Sequence, residues 1–320
     1  MKHLSQPLTA LLVTLLALAG TSPRAGAEPL DVMTFNLRYA HPAPNSWEQR
    51  RPVVSALLKR EGPDLVGTQE GVHAQLTDLE ADLPDYEWIG TGRDGGLKGE
   101  FMAIFYRSSR LDALEYDRFW LSDTPGIAGS RTWGNRFARM VTWVKLRDRQ
   151  TQCEFYVVNT HFDHEVQVAR EKSADLLLER VAAFDATVPA LLLGDFNAAA
   201  AANPVYDRLT APVAFVDSWR ALGRAEPPFG TFHDFKRMEG AKGTARIDWI
   251  LTRGAARTRS AEILTYAHAG QYPSDHFPVV ARIELGTCRS TSARASRIRA
   301  SCLVGFAKEN RHVRDRLPPS

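Results

Sequence analysis

The residues best able to do chemistry in this chain sit at the ends of apolar runs, in pairs or singly. Asp195 and Asn197 follow the run 190–193 and a glycine, Gly194. Side chains two apart in extended backbone share a face, so a carboxylate and an amide are delivered together. Such a pair suits the activation of a water or the holding of a phosphoryl oxygen or a hard metal ion. An Asx turn is the other use of Gly-Asp and Asn-Ala. Asn159 and His161 repeat the arrangement at the end of 154–160. Asn36 ends the run 30–37, Glu70 follows 64–69, Asp248 lies within 246–251, and Asp275-His276 open the run 277–285. Each has a plain structural use: Asn36 can cap a turn, Glu70 the next helix, Asp248 can pair with Arg246, and His161 can be a satisfied core residue.

The chemistry that uses the whole set is metal-assisted phosphoester hydrolysis. Oxygen ligation by Glu70, with Asn36 and Asp275 nearby, favours Mg²⁺ or Mn²⁺, and no Cys/His cluster suggests zinc. A metal there polarises the phosphoryl group and steadies the leaving oxygen. His276, oriented by Asp248, donates a charge-assisted hydrogen bond to phosphate. Asp195 deprotonates or orients the attacking water, while Asn197 and His161 stabilise developing negative charge.

The elements that must position these groups follow from periodicity. Strands are expected at 30–37, 64–69, 86–89, 101–106, 114–120, 137–146, 154–160, 190–193, 246–251 and 277–285. Helices are expected from Ser46, a good N-cap, to about 60, where Gly62-Pro63 ends it; through Val72, Leu76, Leu79 and Leu83; over 166–184; and near 204–209. Strands and helices interleave, and several strands alternate as half-buried antiparallel strands do. That predicts two sheets packed face to face with helices outside.

Length and charge bound the rest. The chain has 320 residues, 44% hydrophobic and 24% charged, enough for a large core. Lys2 and His3, an apolar stretch at 8–19 and Ala25-Gly26-Ala27 before Glu28 read as a signal peptide over 1–27. The mature protein is expected to be exported, periplasmic or secreted, with no integral membrane segment and no lipid anchor. The leader contributes +2 and residues 286–320 contribute +6 to a total of +3, so 28–285 carries about −5. That is not the basic face of a generic nucleic-acid binder. Without repeat or linker, 28–285 is expected to be one domain, and 286–320 a basic, disordered tail, or a tether to anionic surfaces. Of three cysteines, Cys153 is expected to be a small buried hydrophobe, and Cys288 and Cys302 are free to pair with each other.

Six stretches in order resemble the endonuclease/exonuclease/phosphatase superfamily of metal-dependent phosphohydrolases. They are Thr34-Phe35-Asn36, Gly67-Thr68-Gln69-Glu70, Asn159-Thr160-His161, Gly194-Asp195-Phe196-Asn197, Ile247-Asp248-Trp249-Ile250 and Ser274-Asp275-His276-Phe277-Pro278-Val279. The resemblance covers essentially all of 30–285. It implies an α/β fold of α+β type: a four-layered α/β sandwich of two mainly antiparallel sheets with helices outside. It also implies a divalent metal on Glu70 with Asn36 beside it, a nucleophile flanked by Asp195 and Asn197, an Asp248–His276 orienting pair, and His161 near the phosphate. Asn36-Leu37-Arg38-Tyr39, Asn45-Ser46-Trp47 with Arg50-Arg51, and Asn159-Thr160-His161-Phe162-Asp163-His164 resemble exported bacterial hydrolases of that superfamily. That branch implies Arg139 and His233 as substrate contacts, and Asn159 is grouped with them. Arg139 as a solvated strand-edge cation, and Asp163 or His164 as caps of the 166–184 helix, are the structural alternatives.

The resulting expectation is a monomeric, exported, Mg²⁺- or Mn²⁺-dependent phosphoesterase acting by in-line water attack. Its substrate is a small molecule, a lipid head group or a nucleic acid. An extracellular nuclease is the alternative within the class. A catalytically inactive binding protein is the alternative outside it, although Glu70, Asp195 and His276 are all present.

Overall fold

The computed structural model describes residues 28–236 and 245–286. The expected signal segment, the tail from 287 onward, and with it Cys288 and Cys302 and their expected pairing, lie outside the described residues. β1 (Leu30–Asn36) and α1 (Trp47–Glu61) come first, then β2 (Leu65–Gln69), β3 (Gly71–Val72), α2 (His73–Asp82), β4 (Tyr86–Ile89), β5 (Glu100–Phe101) and β6 (Ile104–Arg107). β7 (Leu111–Trp120), β8 (Met140–Asp148) and β9 (Glu154–His161) lead to α3 (Gln167–Ala182) and β10 (Ala190–Asp195). α4 (Pro204–Leu209), β11 (Val216–Asp217), β12 (Asp248–Arg253), β13 (Ala256–Ile263) and β14 (Val279–Leu285) complete the described chain.

Two six-stranded sheets result, in the orders β13-β14-β1-β2-β6-β4 and β11-β12-β10-β9-β8-β7. Each has one parallel pair, β1 with β2 and β9 with β10, among antiparallel neighbours. Alternation along the strands sorts side chains into three apolar layers. On β10, Leu191 and Leu193 face the other sheet with Leu30, Val32, Phe155, Val157 and Ile250. Ala190 and Leu192 face outward onto Leu177 and Val181 of α3 and Leu209 of α4. Met33 and Phe35 of β1 face outward onto Val54, Leu57, Leu76 and Leu79 of α1 and α2. The chain is thus the four-layered sandwich expected. No helix among the described residues is long and apolar enough to cross a membrane.

Several boundaries differ from expectation. β7 begins at Leu111 and β8 at Met140, while β13 was not expected at all. Its Ala-Arg-Thr-Arg-Ser-Ala-Glu-Ile sequence buries only alternate small or apolar side chains at a sheet edge, which reads as polar loop. β10 continues through Gly194 to Asp195 instead of stopping at the glycine. A Cβ on Gly194 would lie 2.4 Å from the Thr160 carbonyl oxygen of β9, so this glycine permits close strand approach rather than ending the strand. Gly194→Ala is therefore expected to destabilise the fold by about 1–3 kcal/mol, read as a lower urea midpoint at unchanged m-value; an unchanged midpoint would show that β9 and β10 have slack. Cys153 is buried but is not merely packing, since it is disulfide-bonded.

Candidate active site

The inner faces of the two parallel pairs turn from apolar to polar at their carboxyl ends, where open α/β sheets place ligands. On β9 the inward series Phe155, Val157 continues as Asn159 and His161; on β10, Leu191 and Leu193 continue as Asp195. β12 begins with Asp248, paired in register with Asp195. The residues between them anchor outward: Phe162 packs edge-to-face on Phe196, which stacks on Trp249 at 4.3 Å. Polar ends of both sheets are thereby aimed at one another.

Asn36 is the hinge of the cluster. Its Nδ2 donates to Glu70 Oε1 and to Asp195 Oδ2, both at 3.0 Å, and its Oδ1 accepts from the Arg38 amide at 2.9 Å. Glu70 leaves the strand in the left-handed region at φ +62°, and its Oε2 accepts from the Tyr39 amide at 2.9 Å. Burial pushes the Glu70 carboxyl up, but His276, Asn36, the Tyr39 amide and Arg38 outweigh it and hold it below its ordinary value. Asp195 goes the other way. Burial and the neighbouring Asp248 push it up to about 7, against His276 and the donors from Asn197 and Asn36. His276 Nδ1 lies 2.9 Å from Asp248 Oδ2, and its Nε2 lies 3.7 Å from Asp195 Oδ2. Burial alone would strip its proton, but Asp248 and Asp195 raise it to about 10. His276 is an imidazolium aimed at a carboxylate cluster.

Asp195 and Asn197 serve both readings of the sequence at once. Asn197 adopts φ +48° and its amide donates to Asp195 Oδ1 at 2.9 Å, which is an Asx turn. The turn also brings Asn197 Nδ2 to His161 Nε2 at 3.0 Å. His161 is held well below its ordinary value, first by burial and then by Arg139 and Arg93, so it stands there as a neutral ring. Asp248 pairs with His276, not with Arg246, which is bound to Asp217 and Glu226.

Glu70, Asp195, Asn197, His161, His276, Asp275 and Arg139 line one open cleft of about 600 Å³. Asp275 faces Arg38 at 3.2 Å. Asn159 and His233 do not line it. In place of the substrate contact expected, Asn159 donates to the carbonyls of Thr68 and Ala103 and accepts from Gln69, locking the sheets together beneath the site. His233 is fully buried and stacks on Phe277 at 4.0 Å, bracing the segment that carries His276. Asp163 accepts from the amides of Glu165 and Val166 in the turn that leads into α3, rather than capping the helix itself.

Sequence reasoning did not single out Arg93, Glu100, Phe137 or Phe232, which also line the cleft. Arg93 and Glu100 flank a glycine-rich turn, a hairpin signal that gives no hint of what its ends face. Arg50, seen only as part of a resemblance, is wholly buried and donates to the carbonyls of Leu37, Arg38, Tyr39, Asn45 and Pro273. It ties the loop supporting Glu70 to the loop carrying Asp275 and His276.

A divalent cation fits this donor set. Among the described residues, Glu70, Asp195 and His276 have ligand-type atoms within 4.8 Å of one another. Two carboxylates held 3.0 Å from one amide nitrogen, with Asp275 and Asp248 behind, concentrate oxygen ligands and negative charge suited to Mg²⁺ or Mn²⁺. Glu70 would hold it, with Asp195, Asp275 or the Asn36 amide as neighbours.

The Endonuclease/Exonuclease/phosphatase family matches residues 33–276. The chain superposes on an endonuclease/exonuclease/phosphatase from Bacteroides vulgatus with a TM-score of 0.75 and 35% identity, over 80% of this chain and 98% of that one. The mannosyl-6-phosphatase of Bacteroides thetaiotaomicron gives a TM-score of 0.72 and 33% identity, over 79% and 99%. An uncharacterized protein of Acanthamoeba polyphaga mimivirus is 30% identical over 161 residues, 47% of this chain. The match spans 59% of that relative's length.

Proposed function

We propose that this chain, which belongs to the endonuclease/exonuclease/phosphatase family of hydrolases, is an exported, divalent-metal-dependent phosphoesterase whose substrate is a small phosphomonoester. The observation that carries the reading is the convergence of Glu70, Asp195 and His276, from both sheets, in one cleft with Asp248 behind His276. A bound Mg²⁺ or Mn²⁺ would supply Lewis-acid polarisation of the phosphoryl oxygen and charge for the leaving oxygen. His276, held cationic by Asp248, donates to a phosphoryl oxygen. Asp195 accepts the proton of the attacking water, while Asn197, whose Nδ2 donates to His161 Nε2 and to the Phe162 carbonyl, fixes the neutral His161 ring beside it. Monoester specificity is supported by the mannosyl-6-phosphatase relative. Export is supported by the leader-like 1–27.

The test is a hydrolysis panel on the mature chain 28–320, with Asp195→Ala as blank. It compares mannose 6-phosphate, p-nitrophenyl phosphate, bis-p-nitrophenyl phosphate, RNA and plasmid DNA under Mg²⁺, Mn²⁺ or EDTA. Metal-dependent and Asp195-dependent release of phosphate from the monoesters is expected. Cleavage confined to RNA or DNA would replace the reading with a nuclease, and inertness with tight phosphoester binding would replace it with a binding protein.

A further inference from the structure

The cleft holds a second set of charged side chains to which the hydrolysis above gives no contact with the substrate. Arg93 and Glu100 form an ion pair at 2.5 Å, with side chains 10% and 11% exposed. Arg139, just before β8, is only 3% exposed and lines the same cleft. Among the described residues its hydrogen bond runs from Nη2 to His164 Nδ1 at 2.8 Å, and its Nε stands 3.6 Å from Asp163 Oδ2. Among the described residues, Arg139 Nε and Nη1, and Arg93 Nε, have no hydrogen-bond partner. Phe137 lies beside them, 4.8 Å from the Arg93 guanidinium and stacked on His164 at 6.1 Å.

Buried donors are almost always paired, and a guanidinium left with unmade bonds in a cleft wall marks a place where an acceptor belongs. Arg50 and Arg246 are as deeply buried, yet each is surrounded by carbonyls or carboxylates, and Arg110, whose Nε is also unpartnered, has its other nitrogens on carboxylates and carbonyls away from the cleft. Glu100, the acid that faces Arg93, is pushed up to about 7, first by burial, so it offsets that cation incompletely at neutral pH. The half-exposed His164 covers Arg139 Nη2 and, like Glu100 on Arg93 Nη1, is a neighbour an incoming group would have to displace. Two guanidinium forks matched to planar or tetrahedral oxyanions are the usual recognition of phosphate and carboxylate.

We propose that Arg93 and Arg139, walled by Phe137 and His164, form a subsite for a second anionic group of the substrate, separate from the phosphoryl group that is hydrolysed. The inference rests on the phosphoesterase reading of the same cleft. It narrows the substrate to a small phosphoester bearing another phosphate or a carboxylate, with a sugar bisphosphate as the simplest probe.

Two measurements test it. In the first, kcat/KM for glucose 1,6-bisphosphate and glucose 6-phosphate is compared in the native chain, Arg139→Gln, Arg93→Gln and Arg131→Gln, an exposed arginine outside the cleft. The native chain and Arg131→Gln are expected to favour the bisphosphate by about ten-fold or more, as charge-assisted bonds of this kind imply. Both cleft variants should lose that preference, read as the ratio of kcat/KM for the two sugars within each variant, whatever the change in turnover on the monophosphate itself. In the second, inorganic phosphate is titrated calorimetrically in EDTA, where Arg139→Gln should weaken binding about ten-fold. If Arg139→Gln fails to fold, Arg93→Gln carries both comparisons. Equal kcat/KM values for the two sugars in the native chain, or phosphate binding indifferent to both arginines, overturns the subsite. Arginine-dependent phosphate binding without turnover of any ester would keep the subsite and overturn the hydrolytic reading instead.

Discussion

His276→Ala is expected to lower turnover on a phosphoester about 10³-fold, with little change in KM. The ring makes its side-chain hydrogen bond to Asp248 at 2.9 Å and turns Nε2 toward Asp195. It therefore has one free donor, positioned and charged before substrate arrives. Preorganised charge of this kind is worth roughly 10²- to 10⁴-fold in rate, and because it acts on charge that grows during the reaction, kcat should bear the loss. Asp248→Asn gives the companion result. Burial pulls the His276 proton off while Asp248 and Asp195 hold it on, at about 10. Removing the larger of those two contributions lowers the His276 pKa, so the imidazolium is lost as pH rises through a lower value. The variant should be slow at neutral pH and partly recover on acidification, whereas the native enzyme keeps this proton until about 10. Rates within threefold of native for His276→Ala at saturating Mg²⁺ would remove His276 from the mechanism.

Glu70→Gln is expected to raise the Mg²⁺ or Mn²⁺ concentration for half-maximal activity by about 10²-fold or more. Outer-shell partners of metal ligands already change affinity by about 10- to 100-fold, and Glu70 is the carboxylate that His276, Asn36, the Tyr39 amide and Arg38 jointly keep ionised. Gln preserves size and the acceptor toward Tyr39 but removes the charge, so the fold should survive. Metal titrations of activity, with thermal melting as a control, separate the two effects. A native metal requirement in a folded Glu70→Gln would move the cation to Asp195 and Asp275.

How much of this was legible in sequence depends on what fixes each residue. Asn36, His161 and Asp195 could be found because a strand's two-residue period carries straight on from apolar to polar positions, and the sequence shows both halves of that series. Asp248 was legible for the same reason, though only the fold reveals that its register partner is Asp195. Asn159 has the same parity as His161 and still turned out to bind backbone, because depth below the strand end, not parity, decides whether an inward residue meets the cleft or the opposite sheet. His233 was misleading for another reason: resemblance to a branch of the family suggested contact with substrate, whereas here it packs against Phe277 as an aromatic plate. Arg93 and Glu100 were invisible because their positions follow from how one hairpin leans against the sheets. The unexpected β13 shows the weakness of edge strands as signals, since solvent on one side lets charge replace the apolar alternation.

β14 lies between β1 and β13 in its sheet, and Arg50 reaches from α1 to the Pro273 carbonyl. The first described strand therefore pairs with β2 on one side but stays open on the other until the last has been made. A nascent chain that has emerged as far as residue 270 already contains Glu70, His161, Asp195 and Asp248, yet lacks both His276 and the strand that closes the sheet. Contacts spanning more than two hundred residues also place the fold among slow formers, because loop closure precedes the reward of pairing. Activity should thus be the final property gained during synthesis and folding, and it should appear with closure of the first sheet, later than the bulk of the secondary structure.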